Sequence, residues 1–281
     1  WLKHKSARIR LAALLGLQED FALTQNQALA LVDRDADPAV QSWALTFAMS
    51  SHPPAKMPNS KSRVEFEQTV PVKQLIERAR TADDRPQLRS LYLKMLARAS
   101  IRQGSPRREL LEFYRTLKTD AERALILPTT ATGLDALPEL WKAFGGPASL
   151  QSAAITGIRN VARLRTASLR SGEKDVQAVA RGLSSVNASA TEIADWLLTR
   201  IAKAGPTDPR VAGALQALDT LPLSGALPIT TEQLAAVLGV LEEREDPTIQ
   251  LTALRLLGKV DAGAGIKPIA ATVRNLCRRP N

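Results

Sequence analysis

A nine-residue string of the form D-P-x-(V/I)-Q-x-x-A-L occurs twice in the chain, about two hundred residues apart. The first copy runs from Asp37 to Leu45 and the second from Asp246 to Leu254. Each copy predicts the start of a helix, because aspartate accepts hydrogen bonds from unpaired backbone N–H groups and proline fits the first helical position. After the second start, apolar residues recur at helical spacing: Ile249, Ala253, Leu256 and Leu257. Two copies of one helix start indicate a repeating unit.

Composition favours helices over sheets. Apolar residues make up 44% of the chain but aromatic residues only 4%, and the apolar part is mostly Ala and Leu, which suits close-packed helices. Periodicity and breaks at Gly and Pro predict about fourteen helices and no strand. No apolar run approaches the length of roughly 20 residues that a membrane-spanning helix needs. The predicted fold class is all-α.

The predicted helix starts can be aligned with one another. Their equivalent apolar positions lie roughly thirty to sixty residues apart, and the larger intervals leave room for an extra helix or a long loop. These positions are Ile9, Val40, Leu88, Leu150, Val211 and Ile249.

At this point the chain resembles the HEAT and armadillo class of helical repeats, in which paired helices of about forty residues stack into a solenoid. The resemblance rests on the two D-P-x-(V/I)-Q-x-x-A-L strings and on segments such as residues 85–97, RPQLRSLYLKMLA. It implies an α–α superhelix of stacked antiparallel helix pairs. Many such repeats carry a basic residue after the branched apolar one, where this chain has Gln41, Arg89, Gln151 and Gln250. The resemblance therefore names the class and no subfamily.

The resemblance implies a single solenoid over residues 1–281. A proline-rich stretch at residues 51–62 is predicted to be an irregular loop. The alternative is an irregular helical domain, or two bundles that meet near Gly145-Gly146-Pro147. Because the chain opens on Trp1 rather than Met, we expect it to be an excerpt of a longer chain.

Three further expectations concern single elements. A short helix over residues 120–127 is predicted to end at Pro128, since proline lacks an N–H group. Residues 176–183 and 191–204 are predicted to be separate helices, the second capped by Thr191 or Ser189. Ile9 is expected on the apolar side of the first helix.

The chain shows no motif for catalysis. His4 and His52 have no ligand partners at metal-binding spacing, and the single Cys277 excludes a cysteine zinc site. Nucleophile-elbow, phosphate-loop and dinucleotide-binding glycine patterns are absent. We therefore expect a protein that is not an enzyme and that uses no cofactor or metal. One cysteine and no visible targeting signal favour a cytoplasmic location.

The chain is basic. It has 38 Lys and Arg against 28 Asp and Glu, a formal charge of +10. This balance favours acidic partners, which include nucleic acid, an anionic membrane surface and an acidic protein. Ordinary solvated helix faces also produce it.

Three groups of basic residues are candidate binding sites. On a solenoid they could align as a stripe that contacts phosphates, and the alternative is a set of solvated faces scattered around the molecule. The first group is Arg159, Arg163, Arg165 and Arg170. The second group is Arg98, Arg102, Arg107 and Arg108. The third group is Lys3, Lys5, Arg8 and Arg10.

Three tryptophans on predicted helices, Trp43, Trp141 and Trp196, are expected to pack in the core. A second interpretation comes from the HEAT-like DNA glycosylases, which place aromatic residues and a carboxylate on a basic concave face. Asp195-Trp196, with Arg200 one turn later, is the nearest local similarity.

The sequence thus predicts a non-catalytic scaffold that presents a curved helical-repeat surface to a protein partner with acidic segments. The alternative is a nucleic-acid-binding solenoid, including a DNA glycosylase-like repair protein. A helical lipid-carrying domain would require a large apolar cavity and is the least favoured of the three. No small-molecule cofactor is expected.

Overall fold

A computed structural model shows the architecture of the chain. It describes residues 1–19, 25–49, 72–98, 107–131, 133–170, 176–223, 226–260, 269–272 and 274. Within these ranges the chain forms thirteen α-helices and one 3-10 helix, and its β-structure there is a single isolated bridge between Leu227 and Val260. The all-α prediction is confirmed. The predicted loop at residues 51–62 lies outside the described residues.

The chain divides into two compact units, Trp1–Leu117 and Lys118–Asn281. The first unit contains α1 (Ala7–Glu19), α2 (Gln25–Arg34), α3 (Pro38–Met49), α4 (Val72–Thr81), α5 (Pro86–Arg98) and α6 (Arg107–Thr116). Helices α2 and α3 pack together, as do α4 and α5. Among the described helices of this unit, contacts also link α1–α3, α3–α5 and α4–α6.

The second unit begins with α7 (Asp120–Thr130), the 3-10 helix (Leu134–Ala136) and α8 (Leu137–Ala143). It continues with α9 (Ala148–Arg170), α10 (Val176–Ala204), α11 (Pro209–Asp219), α12 (Thr231–Glu243) and α13 (Pro247–Leu257). Neighbours α9–α10 and α12–α13 pack together, and next-but-one contacts link α9–α11, α10–α12 and α11–α13. The segment 145–147 lies inside this unit, between α8 and α9.

The predicted helix starts are confirmed by their capping bonds. Oδ1 of Asp37 accepts the N–H of the residue two positions later at 2.9 Å, and Oδ1 of Asp246 does the same at 2.8 Å. Asp208 caps α11 in the same way at 2.9 Å. Each aspartate satisfies backbone donors that have no partner within the helix. Thr230 and Gln233 form a full capping box at the start of α12.

The glutamine of the repeated string has a second structural role. Nε2 of Gln41 donates to the backbone carbonyls of Val32 at 3.2 Å and Asp35 at 2.7 Å. Both carbonyls lie at the end of α2, where helix geometry leaves carbonyl groups without intrahelical partners. Gln41 therefore ties the first turn of α3 to the end of the helix before it. We call this contact the glutamine latch.

A second latch occurs in the second unit. Nε2 of Gln250 donates to the carbonyls of Leu241 at 3.3 Å and Arg244 at 2.6 Å, at the end of α12. In α5 the equivalent residue is Arg89, whose Nη1 donates to the carbonyl of Ala79 at 3.0 Å. At these three of the four positions, the side chain after the branched apolar residue thus contacts the end of the preceding helix.

A partly buried network joins three helices of the first unit. The carboxylate of Asp33, in α2, accepts hydrogen bonds from Arg78 of α4 and from the hydroxyl of Tyr92 of α5. Arg78 also donates to the carbonyl of Leu29 at 3.3 Å. Burial and the neighbouring carboxylate raise the pKa of Tyr92 above its ordinary value.

Two helix predictions were wrong. Residues 176–204 form one helix, because the Ser, Asn and Thr residues at 184–191 weaken helix propensity without breaking the helix as Pro would. Helix α7 continues past Pro128 to Thr130. This extra turn is fixed by the Ala131 N–H, which donates to Leu127, and by Asn160 Nδ2, which donates to the Pro128 carbonyl at 2.9 Å.

Two core predictions were also wrong. Trp43 is 42% exposed and Ile9 is 36% exposed. Trp43 follows the buried residue Val40 by three positions, yet the inward stripe of α3 continues through Ala44, Phe47 and Ala48 instead. The helix buries a face that does not include the indole.

Candidate functional site

Trp141, in α8, lies in a cluster of aromatic and guanidinium groups in the second unit. Its ring meets Trp196 of α10 nearly edge-on, with centroids 6.4 Å apart and planes at 82°. The guanidinium of Arg210, at the start of α11, lies 5.3 Å from the centroid of Trp141. Arg200 of α10 lies 5.1 Å from the centroid of Trp196. We call the series Arg200–Trp196–Trp141–Arg210 the arginine–tryptophan ladder.

Two glycines allow these elements to approach one another. A Cβ atom on Gly145, directly after α8, would lie 3.1 Å from Cγ of Arg210. A Cβ atom on Gly213 of α11 would lie 2.7 Å from Cδ1 of Phe144, whose ring packs on Trp141. Both distances are shorter than ordinary carbon contacts. Small residues at these two positions therefore permit the close packing of α8 against α11.

The Arg210 end of the ladder is electrically neutralised. Its Nη2 lies 2.5 Å from Oδ2 of Asp208, and its Nε donates to Oδ1 at 2.9 Å. The hydrogen bonds from the Arg210 side chain hold the pKa of Asp208 below its ordinary range, and they raise the pKa of Arg210. One carboxylate thus caps α11 and fixes the guanidinium on Trp141.

The Arg200 end is different. Arg200 is exposed, and no carboxylate in the described part of the chain lies within ion-pair distance of it. The face of Trp196 attracts the cation and restricts its orientation. A guanidinium held in this way offers a planar pair of donors that matches a carboxylate or a phosphate.

The carboxylate of Asp195 contacts α12. Its Oδ1 accepts a hydrogen bond from Nε2 of Gln233 at 2.9 Å, and Gln233 also donates to Oγ1 of Thr199 at 3.1 Å. The residues of the sequence pattern Asp195-Trp196 with Arg200 therefore make two different sets of contacts. Trp196 and Arg200 belong to the ladder, whereas Asp195 links two helices.

The predicted basic groups are only partly described. Arg108 and Arg159 have described, exposed side chains and lie in different units, and Arg108 pairs with Glu112 at 2.9 Å. The backbone of Arg98 lies in α5, that of Arg107 in α6, and those of Arg163, Arg165 and Arg170 in α9, while Arg102 lies outside the described residues. The stripe of basic residues stays a prediction.

Sequence reasoning missed the ladder as a unit. Trp141 and Trp196 stand on separate helices far apart in the sequence, and a single sequence carries no signal for such a contact. The one local signal was Arg200 one turn after Trp196, a spacing that places two side chains on the same helix face.

Among the described residues, no group of three or more His, Cys, Asp and Glu side chains is arranged to hold a metal ion. No helix in that part of the chain is long and apolar enough to cross a membrane. Comparison with protein-family models, with curated proteins and with solved structures returned no match.

Proposed function

We propose that the protein is a non-catalytic interaction scaffold, built from HEAT-like helix pairs, that binds an acidic segment of a protein partner. The observation that carries the proposal is the ladder, which ends in an exposed arginine without a carboxylate partner among the described residues. Binding would depend on the shape and charge of a rigid surface and would involve no chemical step.

The helix contacts support the solenoid part of the proposal. In an array of stacked pairs, each helix packs on its own partner and on the equivalent helix of the next pair. In the second unit, described helices contact both their neighbours and their next-but-one neighbours, and the described helices of the first unit make contacts that suit the same arrangement. The recurrence of one capping and latch arrangement at Asp37–Gln41 and Asp246–Gln250 also suits a repeating unit.

The composition of the ladder supports the partner part. Trp and Arg are the side chains most enriched among residues that dominate binding energy at protein interfaces. Because Arg200 is already oriented by Trp196, it loses less conformational freedom on binding than a free arginine does. In a protein partner, a fixed guanidinium donates its strongest hydrogen bonds to the carboxylates of glutamate and aspartate.

An acidic peptide fits this site better than a single-stranded nucleic acid does. Bases bind such proteins by stacking on open aromatic faces. Arg200 covers a face of Trp196, and Trp141 is only 7% exposed. The guanidinium, rather than the rings, is the group presented to a ligand.

The test is fluorescence anisotropy with a labelled peptide rich in Glu and Asp, at about 50 and 200 mM salt. We expect the wild type to bind and Arg200→Ala to weaken binding about fivefold to thirtyfold, a loss of roughly 1–2 kcal/mol. Arg200→Lys keeps the charge but loses the planar fork, so we expect an intermediate loss. Arg255→Ala, which removes an exposed arginine of α13 that lies 3.9 Å from Asp219, is the control for the loss of one positive charge.

Three outcomes separate the possibilities. No peptide binding at the lower salt concentration would overturn the proposal. Binding that Arg200→Ala leaves unchanged would keep a scaffold but remove the ladder as its site, and Arg159→Ala would then test the first basic group. Tighter binding of duplex DNA, with a steep salt dependence, would favour the nucleic-acid alternative.

A further inference from the structure

A cavity of about 750 Å³ opens in the first unit, between the N-terminal segment, α1 and α2. This volume lies within the range of pockets that bind small molecules. Its apolar lining comes from Leu2, Leu17, Ala30 and Leu31. The cavity therefore combines enough space for a small ligand with a hydrocarbon surface on which an aliphatic group can be buried.

The charged lining is strongly unbalanced. Four cationic side chains, Lys3, Lys5, Arg10 and Arg34, line the cavity together with one carboxylate, that of Asp35. Arg10 binds Asp35 through two bonds of 2.7 Å, from Nε and from Nη2, and the Asp35 side chain is only 3% exposed. Arg10 thus neutralises the negative charge of Asp35.

The other three cations lack such a partner within the described ranges of the chain. Lys3, Lys5 and Arg34 are exposed, and no carboxylate among the residues that the structure describes lies at ion-pair distance from any of them. Like charges that surround one cavity repel each other, and an anion placed among them relieves that repulsion.

Arg10 also fixes the position of the cationic segment. Its Nη1 donates to the backbone carbonyls of His4 at 2.7 Å and Lys5 at 2.9 Å. The same guanidinium holds Asp35, just after α2, so that it ties the N-terminal segment to both helices. Lys3 and Lys5 therefore extend from a segment that hydrogen bonds hold in place.

We propose that this cavity binds an anionic amphiphile, a molecule with one carboxylate, sulfate or phosphate head group and a short aliphatic tail. The tail lies on the apolar lining and the head group lies among Lys3, Lys5 and Arg34. The site shares no residue with the ladder and does not depend on the scaffold function.

The head and the tail make distinct contributions, and each can be tested. Burying one further methylene group strengthens binding by roughly threefold to fourfold, so affinity rises with tail length until the cavity is filled. The contribution of the head group falls with ionic strength, because the cations are exposed to solvent.

The experiment is isothermal titration calorimetry of the full chain with decanoate, below the concentration at which it forms micelles. Decan-1-ol lacks the charge and acetate lacks the tail, and we expect both to bind at least about tenfold more weakly. Decyl sulfate and decyl phosphate identify the preferred head group. Vesicles of an anionic phospholipid test a membrane surface as the source of the same chemistry.

Matched variants isolate the site. Lys5→Gln removes one charge that lines the cavity, whereas Arg8→Gln removes one exposed charge of α1 that does not. We expect Lys3→Gln combined with Lys5→Gln to weaken decanoate at least about tenfold and to leave decan-1-ol unchanged. Ala30→Phe fills the apolar lining and should weaken both ligands, and the lysine variants, at exposed positions, keep the test valid if Ala30→Phe does not fold.

Several results would overturn the proposal. These are no decanoate binding by the wild type, equal losses in Lys5→Gln and Arg8→Gln, equal binding of decanoate and decan-1-ol, or binding of vesicles without binding of monomeric decanoate. Equal losses of decanoate affinity in Lys5→Gln and Arg8→Gln would mean that net charge alone attracts the ligand. The acidic-peptide assay should be unaffected by Lys5→Gln, so failure here leaves the scaffold proposal standing.

Discussion

Gln41 and Gln250 make the same pair of contacts, each donating from Nε2 to the backbone carbonyls nine and six residues before it. The two side chains belong to the two copies of one sequence string, one copy in each unit. Their common geometry means that the string specifies a junction between two helices as well as the start of one. The aspartate caps the new helix, and the glutamine pairs the last carbonyls of the old one.

Replacing Gln41 with Leu should destabilise the first unit. The change leaves the carbonyls of Val32 and Asp35 without this donor in a buried place, which costs about 1–3 kcal/mol. Native-state hydrogen exchange of amides in α2 and α3 is the direct measurement, because it reports each unit separately. Gln87→Leu, at an exposed position of α5, is the control and should change stability by less than about 0.5 kcal/mol. Equal exchange in both variants would contradict the latch.

The features that the sequence predicted well are local. The caps at Asp37 and Asp246 each involve residues within four positions of one another, so that residue type and spacing define them. The buried stripe of α13 followed from helical periodicity in the same way. The all-α prediction was correct because it depended on local hydrogen bonding and on the apolar periodicity within single helices.

The features that the sequence did not predict depend on distant partners. The ladder requires contacts among α8, α10 and α11. The apolar periodicity within each helix does not specify which other helices it packs against. Trp43 was wrongly predicted to be buried for a related reason. Helical spacing assigns an apolar residue to the core, whereas its burial depends on whether another element covers it. The charge of the cavity depends on the ion pair of Arg10 and Asp35, which neutralises one residue of the third basic group. No signal in the sequence indicates that pair.

Replacing Gly213 with Ala should destabilise the second unit. The added Cβ would lie 2.7 Å from Cδ1 of Phe144 and 3.2 Å from its Cγ, in a buried contact. Moving a packed aromatic ring to relieve such an overlap costs about 1–3 kcal/mol. Urea denaturation followed by far-UV circular dichroism measures the loss.

The matched control for this change has the opposite sign. Gly239 is also inside a helix of the second unit, but a Cβ there would meet only Pro206, at the ordinary contact distance of 3.7 Å. Alanine restricts the unfolded chain more than glycine does, so Gly239→Ala should stabilise by about 0.4–1 kcal/mol. If both variants lost stability equally, the contact between Gly213 and Phe144 would not be the cause.

The ion pair of Asp35 and Arg10 should make the first unit sensitive to acid. The hydrogen bonds from Arg10 lower the pKa of Asp35. A carboxylate with a lower pKa in the folded state stabilises that state above its unfolded pKa of about 4, and this contribution is lost as the pH falls through the folded value. We therefore expect thermal stability to fall below about pH 4 in the wild type, and we expect a smaller dependence in Asp35→Asn.

Arg10→Gln supplies a second measurement of the same pair. Without the guanidinium, the pKa of Asp35 should rise towards its ordinary value, which an NMR titration of the carboxyl carbon reports directly. Arg8→Gln, which removes another exposed charge of α1, should leave that pKa almost unchanged, because Arg8 makes no ion pair with Asp35 in the described structure and solvent screens its charge. A pKa of Asp35 that both variants raise equally would point to net charge rather than to the pair.

The stability of the first unit should depend on alkaline pH through the ionisation of Tyr92. Its side chain is fully buried, its hydroxyl donates to Asp33, and burial raises its pKa. A tyrosine with a higher pKa in the folded state stabilises that state below its unfolded pKa of about 10, and the contribution is lost as the pH rises further. We expect tyrosinate absorbance from Tyr92 to appear only together with unfolding of the first unit. The chain has two tyrosines, so the difference between wild type and Tyr92→Phe isolates the signal of this one. A tyrosinate signal from Tyr92 near pH 10, with the helices of the first unit intact, would show that the hydroxyl is open to solvent and that the three-helix network does not hold its proton.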